Sequence, residues 1–379
     1  MIERIFYPVG QGAFYVEKHG DKNIVYDCGS STFDEAKESD KKKKRIIADA
    51  FSKEEEIDIL FISHFHEDHV NMIPFLKDRV KKIKKVVLPL LSPDEIFRLS
   101  CFYILLGNDF MSKFVLYFRD YFDDDTEFIY VGSFEEANMI EFREWSGKEY
   151  KFVKNGTTIS LESRNGAFDW IFVPYNFEKK KRRPALVEEF KKQGVCLRDL
   201  IKDPNIILGK IDKEKERANI RKIYKKLEGG IHSNSMMLYS GPDEGKNAIF
   251  FSRVYPIYIG YKYFIDPDYL RFPEKAGCIY SGDIKLTKKI IDNFVKPFNN
   301  RVGTMQIPHH GSFNNYSKEI FDIFKRPLVC PISFGKENRY RHPSTRIIID
   351  ILRNNSFPVL VTEDIDTLCV ELIDYYPFG

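Results

Sequence analysis

The segment Ser63-His64-Phe65-His66-Glu67-Asp68-His69 puts four side chains of metal-ligating type into six consecutive positions. It follows the apolar run Ile57-Asp58-Ile59-Leu60-Phe61-Ile62, which reads as a buried strand, and precedes Val70-Asn71-Met72-Ile73-Pro74-Phe75-Leu76, which opens a helical pattern. A ligand-rich turn between strand and helix constrains the fold more than any other feature of the chain. It belongs at the carboxyl end of a strand, where α/β proteins carry their chemistry. Imidazole and carboxylate donors suit zinc, and also manganese or iron. An open site built from them makes hydroxide from water near neutral pH. The competing reading is a polar loop that happens to hold three histidines. It is weakened by scarcity, since the whole chain of 379 residues has only eight.

The remaining composition sets outer bounds. A hydrophobic content of 43% allows a substantial core, and the aromatic content of 15% reads as an aromatic-rich core rather than a binding stripe. The net charge of +3 excludes a polycation. Cys28, Cys101, Cys196, Cys278, Cys330 and Cys369 form no Cys-x-x-Cys pair, and several lie in apolar runs, as buried thiols do in a reducing cytosol. Met1-Ile2-Glu3-Arg4 leads into a strand pattern rather than a signal peptide. No apolar run reaches the roughly 18 residues of a bilayer span. The expectation is a soluble, cytoplasmic chain with no membrane partner.

Strand patterns cover much of the chain: Ile5–Val9, Ala13–Val16, Asn23–Asp27, Lys85–Pro89, Ser235–Tyr239, Ala248–Phe251 and Cys278–Ser281. Residues 93–123 read as helical, and Asp40 to Arg45 begins or precedes a helix. Residues 178–228 stand apart, with 17 Lys or Arg against 9 Asp or Glu and few aromatics, and read as an inserted helical segment. Its charge suits a phosphate backbone, a protein partner, or simply a solvated helix face.

Further polar residues fall at strand ends and turns. These are Asp27, His232 in Ile231-His232-Ser233-Asn234-Ser235, Asp283 in Ser281-Gly282-Asp283, His309 and His310 in Gln306-Ile307-Pro308-His309-His310-Gly311-Ser312, and His342 before Pro343. Their order resembles the metallo-β-lactamase superfamily. More narrowly it resembles the hydrolase domain of competence-type DNA-uptake proteins and their free-standing relatives. The motifs that carry this are Val9-Gly10-Gln11-Gly12, Asp27 with Gly29, the His-x-His-x-Asp-His loop, Ser281-Gly282-Asp283, His309-His310-Gly311-Ser312, Gly335 through Asn338 and Tyr340 to His342-Pro343, and Thr362-Glu363-Asp364. The resemblance spans the chain except for about 92–130 and 175–228, taken as insertions in a single domain.

The resemblance implies a four-layer αββα sandwich with two divalent ions at one edge, zinc first and manganese as the alternative. It implies that His64 and His66 hold one metal, that Asp68 and His69 hold the other, and that Asp283 bridges them. His309 completes the second site, or His310 does if the strand ends one residue later. His232 is either a third histidine ligand or a polar strand start. Asp27 orients a ligand histidine. His342 contacts phosphate or the leaving oxygen, or caps the helix that follows. Gln11, His310 and Ser312 line the substrate mouth. The chain departs from the competence proteins in two respects. It has no channel portion, and His66 stands where their loop often has Asp, closer to the nitrogen-rich pattern of ribonuclease Z. The expected activity is phosphodiester hydrolysis, first on DNA. The alternatives are a small cyclic-nucleotide or phosphocholine-type ester, or a hydrolase subunit docked in a larger assembly.

Overall fold

The structure, a computed structural model, describes residues 1–33, 40–91, 95–96, 99–100, 102–103, 107–132, 150–162, 169–177, 235–243, 248–255, 258–259, 263–264, 272–273, 275–324 and 327–377. The basic segment 178–228 and His232 lie outside the described residues.

Two large sheets face each other. The first runs edge to edge through Phe272–Pro273, Ala248–Tyr255, Cys369–Pro377, Ile2–Phe6, Gly12–His19, Lys22–Ser30, Ile59–Phe61, Lys85–Pro89, Glu127–Gly132 and Tyr150–Lys154. The second runs through Ile159–Glu162, Asp169–Asn176, Met236–Pro242, Gly277–Tyr280, Val302–Met305, Val329–Ser333 and Phe357–Val361. Side-chain alternation builds the layers, because successive residues of a strand point to opposite faces. Ile24 and Tyr26, Ile59 and Phe61, and Val87 face the second sheet, where they meet Trp170, Phe172, Leu238 and Tyr280. Val25, Leu60, Val86 and Leu88 face outward onto Ile46, Ile47, Ile73 and Leu76 of the helices Asp40–Ala50 and Ile73–Arg79. On the far side Ile279, Met305 and Ile332 pack against Ile290, Phe294, Ile347 and Ile351. Three apolar cores between four layers make the expected αββα sandwich. Strands buried on both faces explain the near-continuous apolar runs in the sequence.

Some element bounds differ from expectation. The run 57–62 is interrupted at Asp58, whose carboxylate accepts the Asn23 N–H at 3.0 Å and the Lys84 ammonium at 3.0 Å, leaving Ile59–Phe61 as the sheet strand. The helical pattern after the motif starts earlier, as a short helix Glu67–Val70 followed by Ile73–Arg79. Residues 93–123, expected to be helical, include a helix at Asp109–Leu116 and a 3-10 turn at Phe118–Tyr121, while Glu127–Gly132 joins the first sheet. Among the described residues no helix is long and apolar enough to cross a membrane.

Parallel pairing gathers the site. Lys22–Ser30 lies parallel to Ile59–Phe61, so Asp27 and the His64 turn emerge side by side. In the second sheet Gly277–Tyr280, Val302–Met305 and Val329–Ser333 are likewise parallel. The end of Val329–Ser333 and the chain following the other two strands place Ser333, Asp283, His309 and His310 at the same edge.

Candidate metal centre

The motif turn is pressed onto the first sheet. A Cβ at Gly29 would stand 2.6 Å from the His69 nitrogen, and one at Gly12 would stand 2.8 Å from the Asp68 carbonyl oxygen. Only glycine permits that approach, which accounts for both positions in the sequence signature. Asn71 closes the turn from the other side: its side chain accepts the Ser30 N–H at 3.0 Å and donates to the Ser30 carbonyl at 2.9 Å.

Asp27 and Ser63 set the ligand histidines. The buried Asp27 carboxylate accepts the Ser63 N–H at 2.7 Å, the Ser63 hydroxyl at 2.6 Å and His69 Nδ1–H at 2.7 Å. Because Ser63 Oγ gives its proton to Asp27, it accepts from His64 Nδ1 at 2.9 Å. Both imidazoles are therefore assigned as Nδ1–H tautomers that turn Nε2 toward the edge. His69 Nε2 is buried, has no hydrogen-bond partner, and lies 3.3 Å from Asp283 Oδ1. His310 is set in the same way, donating Nδ1–H to the Ser333 carbonyl at 2.9 Å and presenting Nε2 to Asp68 Oδ2 at 3.0 Å.

Asp283 is the centre of the arrangement. Its Oδ2 lies 3.6 Å from His64 Nε2 and 3.6 Å from His309 Nε2, while its Oδ1 lies 3.3 Å from His69 Nε2 and 4.0 Å from His310 Nε2. The backbone beneath it is fixed by Gln306, whose Oε1 accepts the N–H groups of Ser281 at 2.7 Å and Gly282 at 3.0 Å. Ser235 Oγ accepts the Asp283 N–H at 3.2 Å. Two groups of potential ligand atoms result: His64, His69 and Asp283, and Asp68, His69 and His310.

The donor set fits divalent metal. Two ligand atoms each about 2.0–2.2 Å from one tetrahedral ion are separated by roughly 3.3–3.6 Å. The His64–Asp283 and His69–Asp283 separations of 3.6 and 3.3 Å match that span. Electrostatics agree. Burial opposes charge on Asp68, but His66, His69 and His310 hold its carboxyl well below the ordinary range. Burial likewise opposes charge on Asp283, yet His309, His69 and His310 hold it low. Burial disfavours a cationic His69, but Asp283, Asp27 and Asp68 raise its pKa well above the usual value. His66 is also raised, by Asp68 against burial, and its Nδ1 contacts Asp68 Oδ1. The carboxylates thus hold positive charge where cations would sit, and metal would replace those protons.

The sequence expectations fare unevenly. His64, His66, Asp68, His69 and Asp283 come together at one edge, with Asp27 behind His69. Of the two histidines left open for the second site, His310 stands with Asp68 and His69, while His309 Nε2 lies 3.6 Å from Asp283 Oδ2. The cause is the turn His309–Gly311. His309 and His310 have φ of +50° and +56°, so side-chain direction there does not follow strand alternation. His342 is not the cap of helix Thr345–Arg353, which is entered through Ser344. Its ring lies 6.0 Å from that of His309. Burial, then the neighbouring His309 and His310, pushes its pKa down to about 4, so it is neutral at physiological pH. Gln11 is buried, and its Oε1 accepts the Gly335 N–H at 3.3 Å. Ser312 is buried and donates its N–H to the His309 carbonyl at 2.9 Å. Ser63 and Gln306 were missed. Ser63 stood in the motif itself, but a lone hydroxyl carries no periodic signal.

Among known proteins, residues 7–138 match the family described as the metallo-beta-lactamase superfamily. Two solved structures are distantly similar. One is the metallo-beta-lactamase fold protein YhfI from Bacillus subtilis, at 8% identity over 99% of this chain and 100% of that one, with a TM-score of 0.39. The other is human tRNase Z, short form, at 8% identity over 89% of this chain and 93% of that one, with a TM-score of 0.38. No curated protein matches, and the narrower competence-type resemblance rests on the motifs alone. The span that matches the metallo-β-lactamase superfamily carries the His-x-His-x-Asp-His turn on its strand, and the second sheet, beyond that span, brings Asp283 and His310 to it.

Proposed function

We propose that this protein is a two-metal hydrolase that cleaves phosphodiester bonds in nucleic acid. The observation that carries the reading is the Asp283 carboxylate, whose Oδ2 lies 3.6 Å from His64 Nε2 and whose Oδ1 lies 3.3 Å from His69 Nε2. His64, His66 and Asp283 Oδ2 would hold one divalent ion, with His309 beside them. Asp68, His69, His310 and Asp283 Oδ1 would hold the other. Zinc suits this nitrogen-rich set first and manganese second. Bound ions supply Lewis acidity, lowering the pKa of water and offsetting charge that builds on a phosphoryl group. Asp27 and Ser63 keep the ligand imidazoles in the required tautomer. His342, neutral and half-buried beside His309, is placed to donate one hydrogen bond to a phosphate or leaving-group oxygen. The excess of Lys and Arg over 178–228 supports an anionic polymer as substrate.

The test is direct. Protein reconstituted with zinc or manganese is incubated with single-stranded DNA, duplex DNA, RNA and a chromogenic phosphodiester, with Asp68→Ala as control. Cleavage of a nucleic acid by the parent and not by the control is the expected result. Turnover of the small ester alone would replace the nuclease reading with a small-molecule phosphodiesterase.

A further inference from the structure

Tyr340 is 75% exposed, the most exposed large apolar side chain among the described residues. It is not on a remote surface. Its ring stacks on His342, with centroids 5.7 Å apart and planes at 16°, and His342 lies 6.0 Å from His309. The loop that presents it is tied down. Asn338 Oδ1 accepts the His342 N–H at 2.8 Å, and Asn338 Nδ2 donates to the carbonyls of His342 at 2.7 Å and Gly335 at 2.6 Å. The base of the loop is held by the Gly335–Gln11 bond, and its exit by the Ser344 N–H on the Gly311 carbonyl at 3.0 Å. A second exposed ring, Phe313, directly follows the His309–Ser312 turn and carries the Arg346 guanidinium 5.3 Å from its centroid. Arg339 and Arg341, which flank Tyr340, are exposed too.

Folding has left these rings in water and fixed Tyr340 in a prepaid conformation, so little order remains to be lost on binding. Aromatic faces interleaved with guanidinium groups match a strand whose bases are free to stack and whose phosphates are accessible. Duplex bases are already stacked and offer no free face. Resting on the nuclease reading above, we propose that Tyr340 and Phe313 form a base-stacking platform at the mouth of the metal edge. The platform grips single-stranded nucleic acid beside the scissile phosphate, and Arg339, Arg341 and Arg346 take the adjacent phosphates.

The experiment measures steady-state cleavage of a short single-stranded oligonucleotide by metal-loaded parent, Tyr340→Ala and Tyr340→Phe, with metal content checked by elemental analysis. Methyl p-nitrophenyl phosphate serves as a substrate without bases. Tyr340→Ala should raise KM for the oligonucleotide on the order of tenfold more than any change on the small ester, and Tyr340→Phe should restore it. A single abasic site walked along the strand should raise the parent's KM at one position, and Tyr340→Ala should erase that dependence. Parental KM in Tyr340→Ala, or an equal loss on both substrates, would overturn the platform. Failure of the parent itself to cleave any oligonucleotide while hydrolysing the small ester would instead remove the nuclease reading.

Discussion

Two buried clusters of charge lie in this sandwich, and they are built on opposite plans. The first surrounds Arg4, which is fully buried between the sheets. Its guanidinium donates to Glu17 at 2.8 Å, Glu371 at 2.5 Å and the Ala276 carbonyl at 3.0 Å. Glu17 also accepts from Ser240 at 2.7 Å and Tyr280 at 2.8 Å, and Glu371 accepts from Thr304 at 3.0 Å and from Ser252. Here the protein itself provides every partner at hydrogen-bond distance. At the metal edge, the Nε2 atoms of His64, His69, His309 and His310 face the Asp283 carboxylate at 3.3–4.0 Å. Burial and titratable chemistry do not separate the two regions. The kind of partner does: the first cluster pairs one guanidinium with two carboxylates, whereas the second gathers four imidazoles around the Asp283 carboxylate, a donor set that suits a divalent cation.

The comparison can be broken by exchanging the behaviours. The largest effect is expected at the metal edge, where Asp68→Ala or Asp283→Ala should reduce turnover at least about a thousandfold and lower metal content, with the sandwich intact by circular dichroism. Near-parental turnover or full metal occupancy would show that this region is no more functional than the Arg4 cluster. Next comes Arg4→Met, which strands two buried carboxylates and should destabilise by about 3–5 kcal/mol in denaturant unfolding. Metal content of the folded variant should not change. A loss of metal would mean that the two clusters are coupled.

Two smaller effects sharpen the contrast. Ser63→Ala removes the acceptor for His64 Nδ1–H and one donor to Asp27, and should weaken metal affinity about 10- to 100-fold in competition with a chelator. Unaltered affinity would leave Asp27 alone as the positioning group. The last effect is on pH dependence. Burial raises the Glu17 carboxyl, but Arg4 and His19 together outweigh it and hold the pKa far below the ordinary value. A depressed folded-state pKa stabilises fully above the unfolded value of about 4.3, and that stability is lost as pH falls toward the folded value. Metal-free parent should therefore lose stability below about pH 4.3, and Glu17→Gln should remove up to about 1.4 kcal/mol per pH unit from that slope. Identical acid slopes for the two proteins would show that Glu17 is not the anion the network implies.

The metal edge was far more legible in the sequence than the Arg4 cluster. His64, His66, Asp68 and His69 are close in the chain, so spacing alone gathers them, and Asp27 and Asp283 mark strand ends. Arg4 pairs with Glu371 across 367 positions, and a charge in an apolar strand gives no sign of its partner. Ser63 and Gln306 went unread for the same reason, since one side chain has no period. Tyr340 acquires meaning only from standing over His342.

The sequence by itself determined the kind of chemistry, the turn that carries it and the layered alternation of apolar residues, because these depend on neighbours two to four positions apart. Tertiary structure alone decided which of His309 and His310 joins Asp68, since both lie in left-handed backbone where alternation gives no direction. It also decided that Asp283 stands between the histidines and that Arg4 is matched, because both outcomes require strands from two sheets to meet.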